Sequence, residues 1–233
     1  MGDVLMNYYT WAQLKEKVER DLDIEGEVFI RPEELVGYAN EAIAEAGAEL
    51  HTLTKDYLLT YEDLTIVSGT QDYDLPGDIY GKKIRKMIFQ TNGSIYPVTK
   101  MEDSTKFERL ALGVQYSTVG QYEYMIINKV AGSPKILLSP TPNESGTIRI
   151  WYVRHPNELT GLDSDIVDIQ GCFTFLTQYI KVRIYEKEGH PNFSSAVSIL
   201  EQQRALLRKK FADAEPDGDN KLETDLSYYE DMN

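Results

Sequence analysis

The chain has a single cysteine, Cys172, in 233 residues, so no intrachain disulfide can form and a reducing compartment is expected. Basic residues are scarce as well. Against 38 Asp and Glu there are 24 Lys and Arg, a net charge of −14. A protein that grips nucleic acid needs cations to displace phosphate counterions, so this balance argues against tight DNA or RNA binding. No apolar run approaches the roughly 18–20 residues that span a bilayer, and no membrane partner is expected. The opening MGDVLMNYYTWAQLKEKVERD lacks a basic start followed by an apolar stretch, so no signal peptide is expected. Met6 stands where a myristoylation signal needs Ser or Thr. These absences together predict a soluble protein made in the cytoplasm.

Motifs that carry chemistry are equally sparse. His51, His155 and His190 are far apart, in unrelated settings, and there is no His-x-x-x-His, paired Cys or Gly-x-Ser-x-Gly element. Cys172 lies near a helix start, where the helix dipole can lower a thiol pKa, but beside Phe173 it reads as a small core residue. Residues 77–83 approach a phosphate loop, yet the stretch is one residue short and Lys83 replaces the required Ser or Thr. Asp163, Asp165 and Asp168 read as a loop and helix-start cluster. Asp213, Glu215, Asp217, Gly218 and Asp219 have the spacing of a calcium loop, but its twelfth position is Thr224 in place of the bidentate Glu. No catalytic, cofactor-binding or metal set emerges, and an enzyme is not expected.

What the chain has is a core's worth of apolar residues, 42%, and an excess of tyrosine, 16 against 7 Phe and 2 Trp. Tyrosine joins an apolar ring to a polar tip and suits half-buried sheet faces and subunit interfaces. Thr10 is a good N-cap, and Trp11, Leu14, Val18 and Leu22 follow at helical spacing. Pro32 then opens a second helix, with Glu33 and Glu34 in its first turn and a stripe of Leu35, Ala39, Ala42, Ala46, Leu50 and Leu53. So much alanine lets a neighbouring helix approach closely, expected to be one of the same chain, the other reading being an intersubunit face. From Tyr57 the pattern changes to short strands around residues 64–67, 71–76, 83–90, 95–100, 122–127, 135–138 and 147–153, with a short helix expected over 102–110. Asn92-Gly93 is the strongest hairpin signal among them. Helix returns with Phe173, Leu176, Ile180 and Ile184 on one face, and His190-Pro191 breaks it. Phe193, Val197, Leu200, Leu207 and Phe211 then continue, with Arg204 interrupting the stripe. From Ala212 onward eight acids face Lys221 alone, a local charge of −7.

The expected fold is therefore α+β. Terminal helices over 1–56 and 157–211 pack as a bundle, an antiparallel β-sheet or sandwich block over 57–156 is inserted between them, and 212–233 is an extended acidic arm.

Four phrases along this order resemble the head–tail adaptor (connector) family of tailed phages, of the tail tubular protein A type found in short-tailed phages. Asn40-Glu41-Ala42-Ile43 is similar to its Asn-Glu-Ala helix. Gly69 through Asp78 follows a G-x-x-x-Y-x-L-P-x-D turn, and Ile136 through Pro142 is similar to its I-x-L-x-P-x-P strand and turn. Tyr152 through Leu159 resembles its Y-x-x-x-P-x-x-L exit, after which Asp163 and Asp165 precede the returning helix, as in the family. Each phrase has a structural reason of its own, and it is their order and spacing together that carry the likeness.

The resemblance implies a structural virion protein at the head–tail junction, in a ring of about twelve copies between the portal protein and the tail nozzle protein, through which DNA passes. It also implies that the acidic arm reaches the portal, and within it Leu222, Leu226, Tyr228 and Tyr229 are spaced as apolar anchors. The other reading open at this point is a β-rich module of a virion that binds a host molecule or another ligand.

Overall fold

Thr10 caps the first helix of the computed structural model, which describes residues 8–23, 30–101, 122–127 and 134–212. Its Oγ1 accepts from the Gln13 N–H at 3.3 Å, while Gln13 Oε1 accepts from the Thr10 N–H at 3.0 Å. This reciprocal box satisfies two amides that a helix start leaves unpaired. Helix α1 (Trp11–Leu22) then buries Trp11, Leu14 and Val18 and ends at Asp23, whose backbone is left-handed at φ 56°. Helix α2 (Pro32–Leu53) starts in a related way, with the Glu34 carboxylate accepting from the Arg31 N–H at 3.1 Å. The expected stripe is its buried face, with Ile43 and Gly47 added and Leu53 at its half-buried margin.

After the strands, helices α3 (Phe173–Glu188) and α4 (Phe193–Ala212) pack on one another and on α2, and α1 packs on α3. Gly189, left-handed at φ 65°, stops α3 where the sequence predicts the break. The alanine stripe thus serves contacts within the chain. Arg204 interrupts the apolar stripe of α4 because it faces acids: it pairs with Glu45 of α2 and, at 2.8 Å, with Glu201. Arg208 meets Glu49 at 2.7 Å, Arg183 of α3 meets Glu41 at 3.0 Å, and Lys187 meets Glu34 at 2.7 Å. Four acids of α2 are therefore matched by bases of α3 and α4. Half-exposed pairs of this kind contribute about 0–1 kcal/mol each, so they fix register more than they stabilise.

Seven strands form the sheet: β2 (Leu59–Ile66), β3 (Asp72–Asp74), β4 (Ile79–Thr91), β5 (Ser94–Lys100), β6 (Tyr122–Ile127), β7 (Lys135–Ser139) and β8 (Gly146–Arg154), in the order β2-β8-β4-β5-β6-β7-β3. Asn92 and Gly93, at φ 46° and 79°, turn β4 into β5 with Thr91 opposite Ser94. Two central residues with positive φ make this the mirror-image turn that matches strand twist.

One expectation is corrected: the sheet is mixed, not wholly antiparallel, because β5 and β6 run parallel with Val98 opposite Tyr122. A parallel neighbour needs a connection of about a dozen residues or more, and residues 101–121 supply that length. It is also one curled sheet and not a sandwich. Tyr73 of β3 donates its hydroxyl to the Val67 carbonyl at 3.0 Å and accepts from the Val67 N–H at 3.1 Å, bringing the two ends of the strand order together. The helix expected over 102–110 lies outside the described residues. The weak phosphate-loop stretch is the start of β4, where Gly81 and Lys82 have positive φ and the register against β8 shifts.

Two apolar clusters result. One joins the four helices to Leu159, Val167, Ile169 and Cys172, and the other fills the curl with Ile66, Met87, Phe89, Ile136, Leu138, Ile148 and Ile150. A two-residue ladder between β1 (Tyr9–Thr10) and β9 (Ile166–Val167) ties the entrance of α1 to the segment leaving the sheet. Where that segment crosses α2, Pro156 rests on Gly47 so closely that a Cβ on Gly47 would stand 2.5 Å from the proline Cγ.

This contact reverses the usual effect of helical glycine. Gly37, on the same helix with open space around it, should gain from alanine, with a melting temperature raised by about 1–3 °C. Gly47→Ala should lower it by roughly 2–6 °C, because the rigid proline ring must be displaced. Thermal unfolding of the two variants side by side checks the sign difference.

Candidate functional site

The best-defined polar arrangement lies where the helices meet the sheet. His51, in the last turn of α2, is 4% exposed and stacks on Tyr80 of β4 with ring centroids 3.9 Å apart. His155, just past β8, meets Tyr80 edge-on at 5.0 Å, and the Lys83 ammonium sits 4.7 Å from that ring. The sequence places these two histidines in unrelated settings, and the fold brings them together. No local signal could have shown this, since 103 intervening positions include the whole sheet.

Neither ring nitrogen of His51 makes a well-formed hydrogen bond among the described residues, the main chain at Arg154 being its one weak polar neighbour. Burial, reinforced by the positive charge of Lys83 and by His155, pushes its pKa down to about 4. Neutral and without a carboxylate on either nitrogen, it is a packing ring and not a proton relay. Tyr57 stands edge-on to His51, and its hydroxyl accepts from the Gln170 N–H at 3.1 Å. The half-buried Arg154 pairs with the buried Asp168 at 2.6 Å, and Asp168 also accepts from the Asn157 N–H at 3.1 Å. The Tyr152 hydroxyl donates to Asp78 at 2.8 Å. This joint is structural: Tyr57, Tyr152, Arg154 and Asp168 each bond a partner that fixes the crossing of chain between the two cores.

The remaining chemical candidates are placed as follows. Cys172 is fully buried, and burial pushes its thiol up to about 12, so it is a core residue and not a nucleophile. Asp163, Asp165 and Asp168 turn to separate tasks. Asp165 gathers the N–H groups of Thr160, Gly161 and Leu162 at 2.6, 2.9 and 3.1 Å, which holds its carboxyl below the ordinary range despite desolvation, and Asp168 pairs with Arg154. The main-chain carbonyls of Asp165 and Asp163 accept from Trp11 and Ala12, so this loop sits at the start of α1 and not only before α3. Among the described residues no three His, Cys, Asp or Glu side chains are grouped to hold a metal ion, and no helix is long and apolar enough to cross a membrane. His190 stacks on Tyr185 at 4.1 Å and accepts from the Asn192 N–H, closing the turn between α3 and α4.

Two surfaces expose large apolar side chains. On the outer sheet face Tyr61, 57% exposed, lies opposite Trp151, and Arg149 reaches over Tyr61 at 4.6 Å while gripping Asp63 with two bonds of 2.7 and 2.8 Å. On α4, Ile199 and Leu206 project into solvent one above the other.

Comparison with known families decides what this arrangement belongs to: residues 9–223 match the model of the SU10 adaptor protein. The chain belongs to the SU10 adaptor protein family. The match spans both apolar clusters and agrees with the head–tail adaptor resemblance. A search of curated proteins finds no match.

As a member of this family the protein is a phage structural adaptor, located in the virion, whose work is contact with other virion components such as portal and tail. The SU10 adaptor family is a structural family and not an enzyme family. The anchors Leu222, Leu226, Tyr228 and Tyr229 lie outside the described residues, as does the acidic calcium-like stretch from Asp213. The family match includes Leu222 and stops before Leu226.

The buried His51 predicts a pH dependence. The unfolded chain takes up this proton near pH 6.5, the folded one only near 4, so the unfolded state binds more protons in between. Stability is fully present above about pH 6.5 and falls as pH is lowered towards 4, by on the order of 2 kcal/mol from this group. His51→Phe keeps the stack and removes the proton. Denaturant titrations from pH 7 to 4 should show a flatter profile for the variant than for the wild type.

Proposed function

We propose that this adaptor works as a closed ring of about a dozen copies between portal and tail, with DNA passing through its centre. The observation that carries the reading is the family match over residues 9–223, which spans nearly the whole chain, helices and sheet alike. In this reading the helices of 1–56 and 157–211 form one unit, 57–156 is an inserted β-rich unit, and the arm from 212 engages the portal. The tail nozzle protein meets the opposite side of the ring. The net charge of −14 suits a passage for DNA, because a wall of like charge does not hold the polymer.

The arm acts as a clamp on the portal through Leu222, Leu226, Tyr228 and Tyr229. Its eight acids keep it solvated before assembly and match basic portal residues afterwards. Tyrosines are effective anchors because a rigid amphipathic ring loses little entropy on docking. The exposed Tyr61–Trp151 pair with Arg149 beside it favours a second reading, a module that binds a host molecule or other ligand through its sheet. A module of that kind stays a monomer or small oligomer whether or not portal is present.

Mass measurement and imaging of the purified chain with its cognate portal test both readings. A monomer alone and a ring on portal are expected, since the portal's repeated sites raise the effective concentration of weak neighbour contacts. Absence of any complex at micromolar concentration would remove the ring reading. Truncation after Phe211 should leave the melting curve of the body intact and weaken portal binding by about tenfold or more, with Tyr228→Ala and Tyr229→Ala together losing less. Equal binding by full-length and truncated chains would end the clamp proposal alone.

A further inference from the structure

Helices α1 and α4 each pack on α3 without packing on one another, so they occupy separate flanks of the helical body. The two flanks differ in shape and in charge. On the α4 flank, Ile199 and Leu206, two turns apart, are 44% and 58% exposed, and they are large apolar side chains with nothing over them among the described residues. Lys209 and Lys210 follow at the end of the same helix. Both are exposed, and unlike Arg204 and Arg208 neither pairs with a carboxylate among the described residues.

The α1 flank is concave. A crevice of about 310 Å³ opens between α1, the start of α2 and the loop at Thr160, with Val36 and the nearly buried Trp11 and Leu35 as its apolar lining and with Lys15, 4.0 Å from the Glu19 carboxylate, on its wall. Glu33 stands on its rim, and Asp163 adjoins it through the bond from the Ala12 N–H. Both carboxylates are exposed, and neither forms an ion pair among the described residues.

We propose that the occupant of this crevice is the α4 flank of a second copy of the chain, with Leu206 seated against Trp11, Leu35 and Val36 and with Lys209 and Lys210 facing Glu33 and Asp163. A projecting apolar stripe with a basic end on one flank, and an apolar crevice with an acidic rim on another, are complementary and not self-complementary. Such a contact is head-to-tail, and a head-to-tail contact repeated around an axis closes into a ring. The contact is small, one anchor with a pair of charges, and so it is populated only when a template gathers the copies. This inference rests on the ring reading and names the surfaces by which its copies meet.

Cross-linking on the cognate portal tests it. Leu206→Cys and Lys15→Cys in one chain, treated with a short bis-maleimide, should give a ladder of multimers on portal, while each single variant stops at monomer. The buried Cys172 does not react. In parallel, Leu206→Asp should lower ring yield by about tenfold or more with an unchanged melting curve. Lys209→Glu with Lys210→Glu should also reduce ring yield, and adding Glu33→Lys with Asp163→Lys should restore it. If wild type forms rings and Leu206→Asp forms them equally well without a ladder from the double cysteine, the proposed contact is wrong and the ring stands. If wild type forms no ring on portal, the ring reading fails and takes the contact with it.

Discussion

The close approach of Pro156 to Gly47 is the constraint on which the two-core architecture depends. Strand β8 runs through the middle of the β2–β8–β4 layer and must deliver the chain back to the helices within a few residues. A side chain at position 47 would hold that return away from α2 and open the region where the two apolar clusters adjoin. With the proline seated, Arg154 is positioned to meet Asp168, Asn157 to cap the same carboxylate, and Leu159 to enter the helical cluster. Asn40 completes the return, its side chain bonding both the N–H and the carbonyl of Leu159 at 2.8 and 3.0 Å. One missing methyl group therefore sets the path of an entire crossing.

Much of this was legible in the sequence wherever the cause is local. Thr10, Pro32, Asn92-Gly93 and Gly189 act on neighbours within four residues, and each structure they signal is present. The stripes of α2, α3 and α4 were legible because burial repeats at helical spacing. The parallel pairing of β5 with β6 was not, since strand direction depends on the route of residues 101–121 and not on the strands themselves. The meeting of His51 with His155 and the task of Arg204 depend on partners more than 100 residues away. The β1–β9 ladder was missed because two residues are too few to show alternation. Of the candidate site, the outline of an adaptor was readable from ordered phrases, while the exposed faces became visible only once burial of every other face was known.

Charge follows the same division. The fold matches each of the α2 acids at 34, 41, 45 and 49 with a base of α3 or α4. Glu49 and Asp63 are held below the ordinary carboxylate range by the hydrogen bonds that Arg208 and Arg149 make to them. With these acids matched, half of the net charge resides in the last 22 residues, where the sequence has a local −7.

The hydroxyl of Tyr73 has a wider consequence. By bonding both main-chain groups of Val67 it draws β3 and the end of β2 together. An open sheet offers rows of unpaired amides and carbonyls to any copy of itself, and proteins guard such edges to avoid runaway strand pairing. A single phenol thus ties β3 to the end of β2, and the exposed acids Glu62 and Asp63 on β2 and Asp72 and Asp74 on β3 disfavour pairing of either edge with another copy of the sheet.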